Sequence, residues 1–211
     1  MNKEKIEELE KYYIDEKSKA KEGFELIKKK SDIMLSAPHA IRQFRNDKIK
    51  AAEFRTGPMV KILGEDLGLS YITRTGYRND DPNFDEINPY RTAIKDYYKE
   101  NPFKLLLDFH IASSDRDFDI DLGTGDGANL CSRLDLGDFV LNFLNKRGID
   151  AKLNHVFSAS SHHTVSGDIS SFLKVPAIQM EFNWGLIEDS ENCLRIIEIL
   201  KDMILNLEEI L

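Results

Sequence analysis

Apolar runs and amphipathic stretches alternate along the chain. Phe103–Phe109, carrying Leu105-Leu106-Leu107 between Pro102 and the polar Ser113-Ser114, is apolar on both faces and predicts a buried central strand. Tyr71–Arg74 and Ala177–Phe182, the second following Pro176, predict two more strands. Phe118–Leu122 reads Phe-Asp-Ile-Asp-Leu, the pattern of a strand with one wet face. Phe24–Lys28 and Ile33–Leu35 read as two short strands around a polar turn. Helical spacing takes over elsewhere. Ile87–Glu100 sets Tyr90, Ile94 and Tyr97 on one stripe, and Leu134–Arg147 predicts a helix ended by Gly148. Glu191–Leu211 keeps Arg195, Glu198, Asp202, Asn206 and Glu209 three to four apart, opposite a broad apolar face, and predicts a long amphipathic helix. Lys3–Tyr12 predicts a short surface helix. The alternation predicts an α/β fold, a three-layer α/β/α sandwich on a mostly parallel or mixed sheet. No repeat or Pro/Gly/Ser-rich linker divides the 211 residues, so one domain is expected over 1–211, residues 1–30 supplying a charged helix and the first strand.

Composition narrows the class. Acidic residues outnumber Lys and Arg by 37 to 29, a net charge of −8; a general nucleic-acid binder or a polybasic membrane-surface protein needs the opposite sign. No run approaches the roughly 18 apolar residues of a membrane span. Met1–Lys11 is charged throughout rather than signal-like, so a soluble cytoplasmic domain is expected. Two cysteines, Cys131 and Cys193, are too few for a disulfide scaffold or a four-cysteine zinc site.

Three strands end in residues with chemistry. His39 follows Ile33-Met34-Leu35-Ser36-Ala37-Pro38, His110 follows Leu105-Leu106-Leu107-Asp108-Phe109, and Glu181 follows Ala177-Ile178-Gln179-Met180. Ligands of open α/β sheets gather beyond the carboxyl ends of strands. Two imidazoles and a carboxylate are the plan of a mononuclear zinc hydrolase, in which a further glutamate moves protons. The local metalloprotease signal, two histidines four apart on a helix, is absent. Any such site is therefore assembled from distant segments. A lone histidine after a strand is commonly just a hydrogen-bonded loop residue, but Asp108, two residues before His110, projects to the same side if the strand continues. It would then buttress the histidine from behind.

The ordered set Leu35-Ser36-Ala37-Pro38-His39, Leu107-Asp108-Phe109-His110 and Ile178-Gln179-Met180-Glu181-Phe182-Asn183 resembles the N-formylglutamate amidohydrolase family, within the zinc carboxypeptidase-like hydrolases. The resemblance covers Ile33 to Asn183. It implies a phosphorylase/hydrolase-like sandwich, Zn2+ held by His39 and His110, and Glu181 as general base and acid. In the family a carboxylate between the first histidine and a helix is the third ligand. Glu53, in Ala51-Ala52-Glu53-Phe54-Arg55-Thr56-Gly57-Pro58, is the match, and Asp47 is its rival. Thr56 or Gly57 is expected to cap the helix that follows, with Pro58 in its first turn. One departure stands out: Ala40-Ile41-Arg42 replaces the small Ser-Gly expected after the histidine.

The activity so implied is hydrolysis of an amide bond in an N-acyl or N-formyl amino acid. Arg78 in Gly76-Tyr77-Arg78-Asn79-Asp80 or Arg91 in Asn88-Pro89-Tyr90-Arg91 would grip a substrate carboxylate or stabilise an oxyanion; taken alone, either arginine fits a surface salt bridge better. Cleavage of a γ-glutamyl or peptide-like bond on the same fold is the alternative enzyme reading, and a binding module without turnover is the alternative outside enzymes. Gly123-Thr124-Gly125-Asp126-Gly127 lacks the Lys-Ser/Thr of a phosphate loop and reads as a turn or site rim. Ser161-His162-His163-Thr164 is placed to touch substrate, with one of the adjacent histidines facing solvent. Acidity concentrates in Asn79–Asp121, with eleven acids against five Lys and Arg; this suits a cation site and requires an arginine for any anionic substrate.

Overall fold

A computed structural model describes residues 3–18 and 20–211; Met1, Asn2 and Lys19 lie outside the described residues. The elements run α1 (Lys3–Ile14), β1 (Phe24–Ile27), β2 (Ile33–Ala37), β3 (Gln43–Arg45), β4 (Lys48–Lys50), α2 (Thr56–Leu67), β5 (Ser70–Arg74), α3 (Pro89–Glu100) and β6 (Leu105–Ala112). They continue with β7 (Ile120–Gly123), α4 (Leu134–Lys146), β8 (Ala151–Leu153), α5 (Val165–Leu173), β9 (Ala177–Asn183), α6 (Trp184–Ile187) and α7 (Ser190–Glu208).

Seven strands form one mixed sheet in the order β1-β5-β2-β6-β9-β7-β8. Its centre is parallel: β5, β2, β6 and β9 run the same way, while β1 and β7 pair antiparallel with β5 and β9. Strand alternation sends side chains to two cores. Ile33, Leu35, Leu107, Phe109, Ile178 and Met180 face a large core completed by α1, α2, α4 and α7. Met34, Ile72, Leu106 and Ala177 face a smaller one, closed by Tyr90, Ile94 and Tyr97 of α3 and Val165 and Ile169 of α5. Helices thus cover both faces, and the three-layer sandwich is the observed architecture.

Some local expectations are corrected. Phe24–Ile27 and Ile33–Ala37 are the two expected short strands, but they are not neighbours in the sheet. β5 inserts between them, pairing with both, because the deep burial available at the sheet centre outweighs the short connection. The residues after Glu53 do form a helix, but neither Thr56 nor Gly57 caps it. The cap position is Arg55, held at φ 72° and ψ −30° with no side-chain cap. Ser161–Thr164 leads into α5, where the Thr164 side chain caps the helix by accepting from Gly167 N–H. The β3–β4 hairpin is an addition; Asn46 and Asp47 form its tip at φ 53° and 58°, a left-handed pair that suits a tight hairpin. Among the described residues no helix is long and apolar enough to cross a membrane.

Candidate metal centre

The smaller core stops short of the carboxyl ends of the parallel strands, and polar residues take over the same face. On β9 the sequence Ala177, Gln179, Glu181, Asn183 continues that face while Ile178, Met180 and Phe182 stay in the large core. On β6, Leu106 is followed by Asp108 and His110, both buried. The strand does continue through His110, and Asp108 Oδ2 lies 3.1 Å from its Nε2. Parallel pairing sets His110 beside Glu181. Period-two alternation over two neighbouring strands thus gathers five polar side chains at one end of the sheet.

His39 leaves β2 in the turn after Pro38, and its carbonyl accepts from Glu53 N–H at 2.8 Å. That bond folds the Ala40–Ala52 excursion back on itself and brings Glu53 over the sheet. Glu53 Oε1 is 2.7 Å from His39 Nδ1 and Oε2 is 3.0 Å from His110 Nδ1. The two imidazoles meet edge to face at 4.9 Å. One ligand atom from each of His39, Glu53 and His110 lies within 4.8 Å of the others. Asp81, fully buried, stands 2.7 Å behind His39 Nε2 as Asp108 stands behind His110. Both imidazoles therefore turn Nδ1 inward, with a carboxylate orienting each from outside, the arrangement typical of metal-bound histidines.

Electrostatics tests the fit. Burial opposes charge on His39, but Glu53 and Asp81 outweigh it and raise the pKa to about 9. Burial likewise opposes charge on His110, and Asp108 and Glu53 hold it well above its ordinary value. Burial would raise Glu53, yet the two histidines pull it down. Four carboxylates around two imidazoles set up a negative potential that favours protons on the imidazoles. A transition-metal cation would take their place, and two imidazoles with one carboxylate are a donor set suited to it. Burial pushes the Glu181 carboxyl up to about 7, against the pull of His110. Gln179 Nε2 donates to its Oε1 at 2.8 Å.

A pocket of about 500 Å³ opens over the cluster, lined by His39, Glu53, His110, Gln179 and Glu181 below and by Arg45, Asn83, Phe84 and residues 157–161, 163 and 164 around the rim. A slightly larger cleft, about 560 Å³, opens at the opposite ends of the strands around Lys30, Asp32 and Glu100. It contains no histidine or cysteine.

The expected residues divide. His39, Glu53, His110 and Glu181 come together. Asp47 is exposed at the hairpin tip, and Arg78 is exposed with its guanidinium on the carbonyls of Lys21 and Tyr77; neither lines the pocket. Arg91 is buried and saturated. It donates to the carbonyls of Pro82, Asp85, Glu86 and His163 and pairs with Asp168 at 3.0 Å, which ties the Asp81 turn to the Ser161–Thr164 loop and leaves nothing for substrate. Arg45 is the arginine in the pocket, its Nε 3.0 Å from Asp81 Oδ2 and its guanidinium 5.4 Å from the Phe84 ring centre. The signal for it was Asn46-Asp47 between Phe44 and Ile49, which marks a hairpin carrying Arg45 back toward the site. Asp121 was also missed. Fully buried, it accepts from His155, Val156 and Phe157 N–H and so shapes the rim loop. His163 lines the pocket while His162 is exposed. Gly123–Gly127 is a turn whose Gly123 packs against the Phe157 carbonyl.

No protein-family model matches the chain, and no curated protein matches its sequence. Solved structures do match. N-formylglutamate amidohydrolase from Ralstonia eutropha JMP134 superposes with a TM-score of 0.67 over 89% of this chain and 97% of that one, at 13% identity. Bacteriophage poly-gamma-glutamate hydrolase gives 0.60 over 93% and 95%, at 14% identity. A metallo-carboxypeptidase from Pseudomonas aeruginosa gives 0.53 over 82% and 56%, at 10% identity. The chain is built on the α/β sandwich of N-formylglutamate amidohydrolase and the metallo-carboxypeptidases, the fold that its strand-end motifs imply.

Proposed function

We propose that the chain is a zinc-dependent hydrolase that cleaves the amide bond of a small, carboxylate-bearing N-acyl or N-formyl amino acid. The observation that carries this reading is the convergence of His39 Nδ1, His110 Nδ1 and the Glu53 carboxylate, with Glu181 on the adjoining strand. His39, Glu53 and His110 would hold the ion, which when bound supplies Lewis acidity toward a carbonyl and lowers the pKa of water. Glu181, buried and poised near neutrality, takes the proton from the attacking water and returns it to the departing amine. Gln179 fixes the direction of that carboxylate. Arg45, rather than Arg78 or Arg91, offers its guanidinium to the substrate carboxylate. A cytoplasmic setting suits two cysteines that form no disulfide.

A pocket of about 500 Å³ exceeds the needs of a formylated amino acid and falls in the range of about 300–1,000 Å³ typical of larger ligands. It favours, as a second reading, a γ-glutamyl or peptide-like chain. Zinc-loaded protein assayed on N-acyl amino acids and γ-glutamyl peptides separates the two. Glu181→Gln is expected to keep its zinc and lose turnover by about 10²–10⁴-fold. A Glu181→Gln variant as fast as the parent contradicts the mechanism, and zinc-bound parent without turnover on any amide favours a binding module.

A further inference from the structure

The Glu53 arm is held from an unexpected direction. Arg55, two residues after Glu53, sits at φ 72° and ψ −30°, a conformation costly to any residue but glycine. Contacts from α1 and from the start of α7 hold it there. Glu10 Oε2 accepts from Arg55 N–H at 2.8 Å, and the Arg55 guanidinium lies 3.7 Å from the same carboxylate. Arg55 Nη2 donates to the Glu188 carbonyl and to Ser190 Oγ, each at 3.1 Å, and Ser190 in turn bonds Glu7. Tyr13 lays its ring over Gly57, where a Cβ would stand 2.6 Å from it. Glu10 is itself 9% exposed, and no described residue hydrogen-bonds its Oε1.

We propose that Glu10 is a positioning residue: through the Arg55 turn it sets where Glu53 presents its carboxylate, so α1 tunes metal affinity without touching the site. The inference rests on the zinc reading above. The His39 carbonyl holds the Glu53 arm on its near side; an ordered backbone at Arg55 fixes its far side, and the buried Glu10–Arg55 N–H bond orders that backbone. Outer-shell contacts of this kind govern metal affinity by about 10–100-fold.

The test is the zinc dissociation constant of the full chain, read by competition with a chromogenic chelator, beside the melting temperature of the metal-free protein. Glu10→Ala should weaken zinc at least tenfold, while Glu10→Gln, which keeps an acceptor oxygen for Arg55 N–H, should stay within threefold of the parent. Ile6→Ala, a core truncation on the same helix, should lower the melting temperature at least as much as Glu10→Ala yet keep zinc within threefold. Should Glu10→Ala fail to fold, Glu10→Met decides: it fills the same space but offers no acceptor oxygen to Arg55 N–H, and it should weaken zinc at least tenfold. Equal effects in Glu10→Ala and Ile6→Ala, or zinc affinity in Glu10→Met as strong as in Glu10→Gln, would overturn the proposal. A parent chain that binds no zinc overturns the metal reading itself, and this inference with it.

Discussion

At the scale of single residues, the site is a contest between burial and charge. His39 is 2% exposed and His110 is 1% exposed, a setting that alone would leave imidazoles neutral. Both are instead driven toward the charged form, because a carboxylate faces each nitrogen. The same accounting separates the arginines. Arg91 spends its donors on four carbonyls and Asp168, whereas Arg45 contacts Asp81 and Phe84 and lines the pocket. A charge-assisted hydrogen bond is worth about 1.5–3 kcal/mol. Arg45→Met is therefore expected to raise KM for carboxylate-bearing substrates by about 10–100-fold while kcat changes little. Amidated versions of those substrates should lose far less. Equal losses on charged and amidated substrates would remove Arg45 from substrate recognition.

At the scale of elements, what could be read from the chain followed from strong local patterns. The Leu105–Leu107 run and the Ala177–Phe182 stretch after Pro176 located β6 and β9, and with them His110 and Glu181, because a strand fixes which way each side chain points. The motif match located Glu53. Where the outcome depends on tertiary choice, the pattern was silent. Nothing local distinguishes a β1–β2 hairpin from two strands parted by β5, and Arg78 and Arg91 look alike until α3 buries one of them. Close packing of α2 on β5 shows the same limit. Gly64 sits in the interior of α2, where alanine would normally stabilise a helix by about 1 kcal/mol. Here a Cβ would lie 2.2 Å from the Tyr71 ring, on a fully packed layer. Gly64→Ala should therefore destabilise the protein, by about 1–3 kcal/mol, in chemical denaturation; a more stable variant would show that the Tyr71 ring yields freely.

At the scale of the molecule, a net charge of −8 and a negative cluster over the central strands belong to one design. Acidic side chains that would repel each other across a sheet edge are stable there if a cation sits among them, and Asp81 and Asp108 contribute to that field while orienting the imidazoles. The fold class was legible throughout, since alternating strand and helix patterns admit few layered solutions; the loops that build the pocket rim were not, since their shape comes from single contacts such as Asp121 to three N–H groups. The central claim is that three residues from three separate segments hold one zinc ion. It is tested most directly by metal stoichiometry, measured on the purified chain after zinc loading and gel filtration. The parent should retain one zinc per chain, and the His39→Ala/His110→Ala double variant should retain none while keeping its fold. A parent that emerges without zinc, or a double variant that still carries a full equivalent, would contradict it.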